Sequence, residues 1–108
     1  MEIEHATDML AALSYEARLR IFRYLVRMGP EGASAGKIAQ ACEITASTLS
    51  HHLNQMRSSG LIERTRQSRS LIYVANFDTM NALIAFLSEE CCQGQPELCR
   101  ETRRKTHP

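Results

Sequence analysis

Thr45-Ala-Ser-Thr-Leu-Ser-His-His-Leu-Asn-Gln-Met-Arg-Ser-Ser59 reads as an amphipathic helix. At about 100° per residue, Leu49, Leu53 and Met56 share one side, while Ser47, Ser50, His51, Asn54 and Ser58 fall on the other. Thr45 can cap its front, and Gly60 stands just past its end. The polar side carries no acid. Short hydroxyls, an amide and an imidazole on a convex face can bond base edges and phosphates in a major groove without repelling the DNA backbone. The same face on an ordinary surface helix would merely be solvated, so the neighbouring segments decide.

Upstream, Ser34 can cap a short helix in which Ile38, Ala41 and Cys42 share a face, and the break at Glu43-Ile44 leads directly into the polar helix. Two short helices joined by a tight turn, the second polar outside, form a helix-turn-helix. Downstream, residues 61–67 and 70–75 are rich in Ile, Thr, Tyr and Val and flank Ser68-Arg69, the pattern of a β-hairpin. Such a wing would carry Arg64, Arg66 and Arg69 beside the helix, placed to hold phosphates or enter a minor groove. A merely solvated hairpin accounts for those charges but not for their adjacency to the helix.

Further out, Ala6, Met9, Leu10 and Leu13 mark a first helix with one apolar stripe. Ser14 is the expected N-cap of a second helix, which carries Glu16 in its first turn and is stopped by Gly29-Pro30. Its apolar residues Leu19, Ile21, Phe22, Leu25, Val26 and Met28 cover about half the circumference, with Arg20, Arg23, Tyr24 and Arg27 opposite. Asp78 is the expected cap of a last helix bearing Met80, Leu83, Ile84 and Leu87, with Phe86 beside them. The first and last stripes have no partner in the helix-turn-helix core. They are expected to pack on each other and on a second copy, as a two-fold dimer. The fold class expected is therefore mainly α with a small β-hairpin, a winged helix-turn-helix homodimer joined through its first and last helices.

The 108 residues, 44% of them hydrophobic, make one ordinary domain whose core is too small to be secure without a partner. Residues 1–90 are read as the DNA-binding and dimerisation domain, and residues 91–108, broken by Gly94 and Pro96 and ending in Arg100, Arg103, Arg104 and Lys105, as a tail. The net charge of +1 hides a local imbalance: between Thr45 and Ala75 the only acid is Glu63, against Arg57, Arg64, Arg66 and Arg69. No apolar run could span a bilayer, and Met1-Glu-Ile-Glu-His5 lacks the layout of a signal peptide, so no membrane partner and a cytoplasmic location are expected. In that compartment four cysteines point to metal, metalloid or redox chemistry rather than to disulfides.

Leu13-Ser-Tyr-Glu-Ala-Arg-Leu-Arg-Ile21, Ser47-Thr-Leu-Ser-His-His-Leu53 and Ser59-Gly-Leu-Ile62, followed by a basic wing reaching Tyr73, resemble the ArsR/SmtB family of winged-helix metal and metalloid sensors. The resemblance covers about Ala6 to Leu87 and implies a dimeric repressor that leaves operator DNA when an ion binds. It implies DNA contacts from Ser47, Thr48, Ser50, His51, Asn54 and Arg57 on the helix and from Arg64, Arg66 and Arg69 on the wing. Two of the family's sensing sites are missing. Ser34-Ala-Gly-Lys-Ile-Ala39 offers no cysteine where the best-known arsenic site has them, and Asp78 is followed by Thr79 and Met80 rather than by the Asp-x-His of the zinc site. Glu43 and Ser68 stand where the family often has turn glycines.

What remains is Cys91-Cys-Gln-Gly-Gln-Pro-Glu-Leu-Cys99. Three soft thiolates on a glycine- and proline-containing segment can enclose As(III), or Sb(III) of the same class, whereas zinc would want a fourth ligand. By chemistry alone Cys91, Cys92 and Cys99 suit a redox switch equally. With the family resemblance, which includes arsenite sensors carrying cysteines in such a C-terminal segment, As(III) is the expected inducer and a thiol-redox repressor the alternative. Cys42, on an apolar face, is expected to be a small buried hydrophobe. His5 and His107 are single histidines with no ligand spacing. An enzyme would need a nucleophilic cysteine at a strand-to-helix turn, and these cysteines follow a helix, so none is expected. A protein-interaction module would need aromatic anchors that the polar helix and wing lack.

Overall fold

The computed structural model of the chain describes residues 1–89. Cys91, Cys92, Cys99 and the expected tail at 91–108 lie outside the described residues.

Helix α1 (Ile3–Leu13) turns Ala6, Met9 and Ala12 into the core. Leu10, expected on that stripe, is exposed. The inward face follows an i, i+3, i+6 course in which two alanines allow close approach, and Leu10 is left on the outer flank. Ser14 does not cap the next helix. Its hydroxyl donates to Ala11 O at 2.7 Å, satisfying a terminal carbonyl of α1, and Tyr15 takes the N-cap position of α2 (Glu16–Met28) without a side-chain cap.

The core of α2 is Ile21, Phe22 and Leu25, while Leu19, expected inside, is exposed and Arg18 is buried in its stead. Gly29 ends the helix as its position predicts, and Gly29–Glu31 forms a single 3-10 turn. The segment after it holds a strand that has no sequence signature, β1 (Ala33–Ser34).

Ser34 also caps α3 (Ala35–Cys42), its hydroxyl accepting from Lys37 N at 3.3 Å as expected. Ile38 is the buried anchor of α3. Ala41, expected beside it, is exposed, and the half-buried positions are Ala35, Ala39 and Cys42. Glu43 adopts the left-handed conformation, φ 55° and ψ 49°, and the chain enters α4 (Ala46–Ser58) with Thr45 at the N-cap.

Strands β2 (Ile62–Gln67) and β3 (Ser70–Ala75) form the expected hairpin, with Gln67 opposite Ser70 and the turn residue Ser68 at φ 57°. β1 adds to the other edge of β3, pairing Ala33 with Tyr73, which gives the antiparallel order β1-β3-β2. The last helix, α5 (Phe77–Leu87), is capped by Asn76 rather than Asp78. The Asn76 carboxamide oxygen accepts from Thr79 N at 3.1 Å, and Asp78 sits in the first turn, where the helix dipole favours its charge.

The largest fully buried side chains are Met9, Ile21, Leu25, Ile38, Leu49, Leu53, Met56 and Leu61, each contributing about 1.5–3 kcal/mol of apolar burial. Three of these eight lie on α4, so the core itself determines which side of α4 faces out.

Candidate nucleic-acid interface

With Leu49, Leu53 and Met56 buried, Ser47, Thr48, Ser50, His51 and Asn54 are all exposed on the outer side of α4. The Thr48 hydroxyl is engaged by the Thr45 hydroxyl at 2.9 Å, which ties the start of the helix together in place of a backbone cap. Arg57, half-buried, lies on the flank toward the hairpin. Asn54, Arg57 and Ser58 there line one cleft of 590 Å³ with Ile62, Glu63 and Arg64 at the root of β2. The sequence-predicted helix and wing contacts therefore meet at Asn54, Arg57 and Arg64.

Arg66 and Arg69 continue outward and are exposed. Arg64 and Arg66 lie opposite Tyr73 and Leu71 in register, so both belong to the sheet face that buries Tyr73, and Arg69 lies in the turn. Among the described residues none of Arg57, Arg64, Arg66 and Arg69 is engaged in an ion pair; the pair found is Arg20 with Glu16, on α2. Four guanidinium groups are left available to a polyanion along one edge of the molecule.

Changing Arg66 to Ala is expected to weaken binding to all DNA sequences alike and to lower the slope of log affinity against log salt by roughly 1. An unchanged slope in filter-binding or anisotropy titrations would remove Arg66 from the interface.

The inner flank of α4 holds an arrangement that the sequence does not signal. Arg18 Nε donates to His52 Nδ1 at 2.9 Å, and the guanidinium stacks 4.0 Å from the centroid of the Tyr15 ring. Burial, followed by the Arg18 and His51 charges, pushes the His52 pKa below its ordinary value. Only the burial of a hydrophilic arginine could have signalled the pair, and a single sequence does not show burial.

Cys42 lines a 260 Å³ cleft with Arg20, Arg23 and Arg27. Burial raises its thiol pKa, against the opposing pull of Arg20 and Arg27. A protonated thiol is a poor ligand and nucleophile, in keeping with its expected role as a small hydrophobe. Among the described residues no three His, Cys, Asp or Glu side chains come together as a metal site, and no helix is long and apolar enough to cross a membrane.

A family model described as a helix-turn-helix domain matches residues 13–65. The HTH-type transcriptional regulator YgaV of Escherichia coli (strain K12) is 36% identical over 89 residues, covering 82% of this chain and 88% of that protein. Reduced HlyU from Vibrio cholerae N16961 superposes with a TM-score of 0.64 at 27% identity, covering 82% of this chain and 90% of HlyU. The fold is also that of Mb0332 from Mycobacterium bovis, a homodimeric winged helix-turn-helix DNA-binding domain and possible ArsR-family regulator. Its TM-score is 0.65 at 23% identity, over 86% of each chain.

Proposed function

The chain belongs with the HTH-type transcriptional regulators and has a winged helix-turn-helix fold, and from that premise we propose that it is a dimeric repressor of the ArsR type that releases operator DNA when As(III) binds its C-terminal thiolates. The observation that carries the DNA half is the acid-free outer side of α4, continuous through the Asn54, Arg57 and Arg64 cleft with wing arginines that form no ion pair among the described residues. Two such faces related by a two-fold axis would enter successive major grooves about 34 Å apart, so the operator should be an imperfect palindrome. Ser50, His51 and Asn54 are the base readers in this reading, and the wing arginines hold phosphates. The protein would act beside the chromosome, in the cytoplasm.

The sensing half rests on the sequence. Cys91 and Cys92 follow α5 after three residues, so gathering them and Cys99 around one As(III) must constrain the end of that helix. If α5 forms the dimer seam, a small rotation there changes the spacing of the two α4 helices, which rigid duplex DNA cannot follow. A coupling of about 1–3 kcal/mol would cut operator affinity roughly 5- to 150-fold.

A second reading is a thiol-redox repressor. It is favoured by HlyU, a relative whose solved structure is specified as the reduced form. Here two of the three thiols would be oxidised to a disulfide while a peroxide is reduced to water, with the same consequence for α5. Titration of the reduced protein on operator DNA with As(III), Sb(III), Zn(II) and peroxide separates the readings. Release is expected with As(III) and Sb(III), and is expected to disappear in Cys91→Ser, Cys92→Ser and Cys99→Ser while persisting in Cys42→Ser. Release by peroxide alone would select the redox reading, and full As(III) release from Cys99→Ser would refute the three-thiolate site.

A further inference from the structure

We infer that Arg18 and His52 form a clamp that sets the rotation of α4 against α2, so that Arg18 is a positioning residue for groove reading and operator binding requires a neutral His52. The inference rests on the DNA-binding reading above and adds a residue and a proton to it. Arg18 is only 6% exposed, and among the described residues no carboxylate forms an ion pair with it. Its observed partners are His52, which accepts from Nε, and the face of Tyr15.

A guanidinium stays protonated and has no lone pair to offer, so in this bond Nδ1 must be the acceptor. His52 is therefore neutral, with its proton on Nε2. Protonating Nδ1 replaces the acceptor with an N–H directed at a cation, and the bond is lost. Removing the imidazole instead leaves a buried guanidinium short of a partner, which is costly away from water.

His52 lies at the edge of the Leu49, Leu53 and Met56 stripe, on the flank of α4 turned toward α1 and α2. Gln55 and Ser59 on that side line a 360 Å³ cleft with Asp8, Tyr15 and Arg18. The opposite flank carries Arg57 and leads to the wing. A bond on the His52 flank fixes the roll of the helix about its own axis, and with it the direction in which Ser50, His51 and Asn54 leave the surface. The packing of Leu49, Leu53 and Met56 sets which side of α4 faces out, and the directional bond narrows the range of roll about that setting.

The charged and titratable groups around the imidazole are Arg18 from α2, Tyr15 from the turn before α2 and His51 from α4. Asp8 of α1 stands in the cleft that Arg18 lines. Burial first, then the Arg18 and His51 charges, holds the folded pKa below the ordinary 6.5. With the folded value depressed, the native protein binds fewer protons than the unfolded one. The clamp's contribution is complete above about pH 6.5 and is lost as pH falls through the lower folded value.

The test compares operator affinity of the wild type, His52→Asn, His52→Ala and Arg18→Met between pH 7.5 and 5.5, alongside ring-nitrogen NMR of His52. Asparagine keeps an acceptor near the Nδ1 position and does not titrate. His52→Asn is expected to bind within about twofold of wild type at pH 7.5 and to gain on it steadily as the pH falls to 5.5, by less than about tenfold because the folded pKa lies below 6.5. His52→Ala and Arg18→Met are expected to lose about tenfold or more at pH 7.5, a deficit that narrows toward pH 5.5 as the wild type loses the clamp, with sequence-independent binding unchanged. A constant His52→Asn to wild-type ratio, or a His52 ring that titrates above 6.5, would overturn the clamp. Wild-type protein that binds no palindromic DNA would refute the repressor reading instead, and the NMR titration would then decide the clamp by itself.

Discussion

Ile84→Glu should yield a folded monomer whose operator affinity is about 10²- to 10⁴-fold weaker, the loss expected when two linked half-site contacts become separate events. Ile84 is 55% exposed and Leu87 60% exposed on α5, and Ile3 and Leu10 on α1 are 61% and 44% exposed. Four large aliphatic side chains exposed on two helices are suited to contact with a second copy of the chain. Covering the remaining half of each from water is worth about 1 kcal/mol, and a two-fold axis counts every such contact twice. A glutamate at position 84 would remove that gain and place two like charges across the seam, at a further cost if they are desolvated. Because the buried anchor of α5 is Leu83, while Ile84, about 100° further round the helix, is exposed, the substitution leaves the subunit core intact. Sedimentation velocity read together with a thermal melt checks this: a dimer that survives Ile84→Glu would place the seam elsewhere.

Much of this architecture was legible because it is local. The apolar spacing of Leu49, Leu53 and Met56 and the hairpin composition act over a few residues, and the structure matches both. Glu43 and Ser68, read as standing in glycine positions, do adopt positive φ, so the backbone demand persists where the permissive residue is absent. What escaped was whatever depends on tertiary competition. Ser14 and Asp78 each have the chemistry of a cap, but Ser14 is occupied by the carbonyl of Ala11 and Asn76 reaches Thr79 first. β1 has two residues and no periodicity, and exists because β3 offers it an open edge. The Arg18 to His52 bond joins residues 34 apart in the chain. In the candidate interface, helix and wing residues were identifiable singly, yet their convergence on one cleft is a property of the fold. The thiolates Cys91, Cys92 and Cys99 lie outside the described residues, and their proposed part in the function stands on coordination chemistry together with the family resemblance.

Gly32→Ala should be among the most destabilising single substitutions in the chain, with its effect concentrated at the wing. Gly32 has φ 64° and ψ −159°, a region that residues with a Cβ occupy at a cost of about 1–3 kcal/mol. A methyl group there would also run into the Tyr73 carbonyl oxygen and lie 2.8 Å from Val74 Cγ2. Neither the backbone oxygen nor the strand behind it can yield without disturbing the Ala33 to Tyr73 pairing and, through β3, the hairpin that carries Arg64 and Arg66. Gly29 supplies the control, since its φ of 69° is similar and a Cβ placed there meets nothing within 4 Å. Gly29→Ala should therefore show the conformational cost alone. Gly32→Ala should exceed it by about 2 kcal/mol or more, the scale of overpacking against a rigid neighbour. For a domain of this size the added loss corresponds to a further fall in Tm of roughly 10 °C. Hydrogen exchange should find the excess in β1, β3 and the wing, with the amides of α4 less affected. Equal melting temperatures for the two variants would mean that β1 can withdraw from β3 freely, and that the third strand does not hold the wing in place.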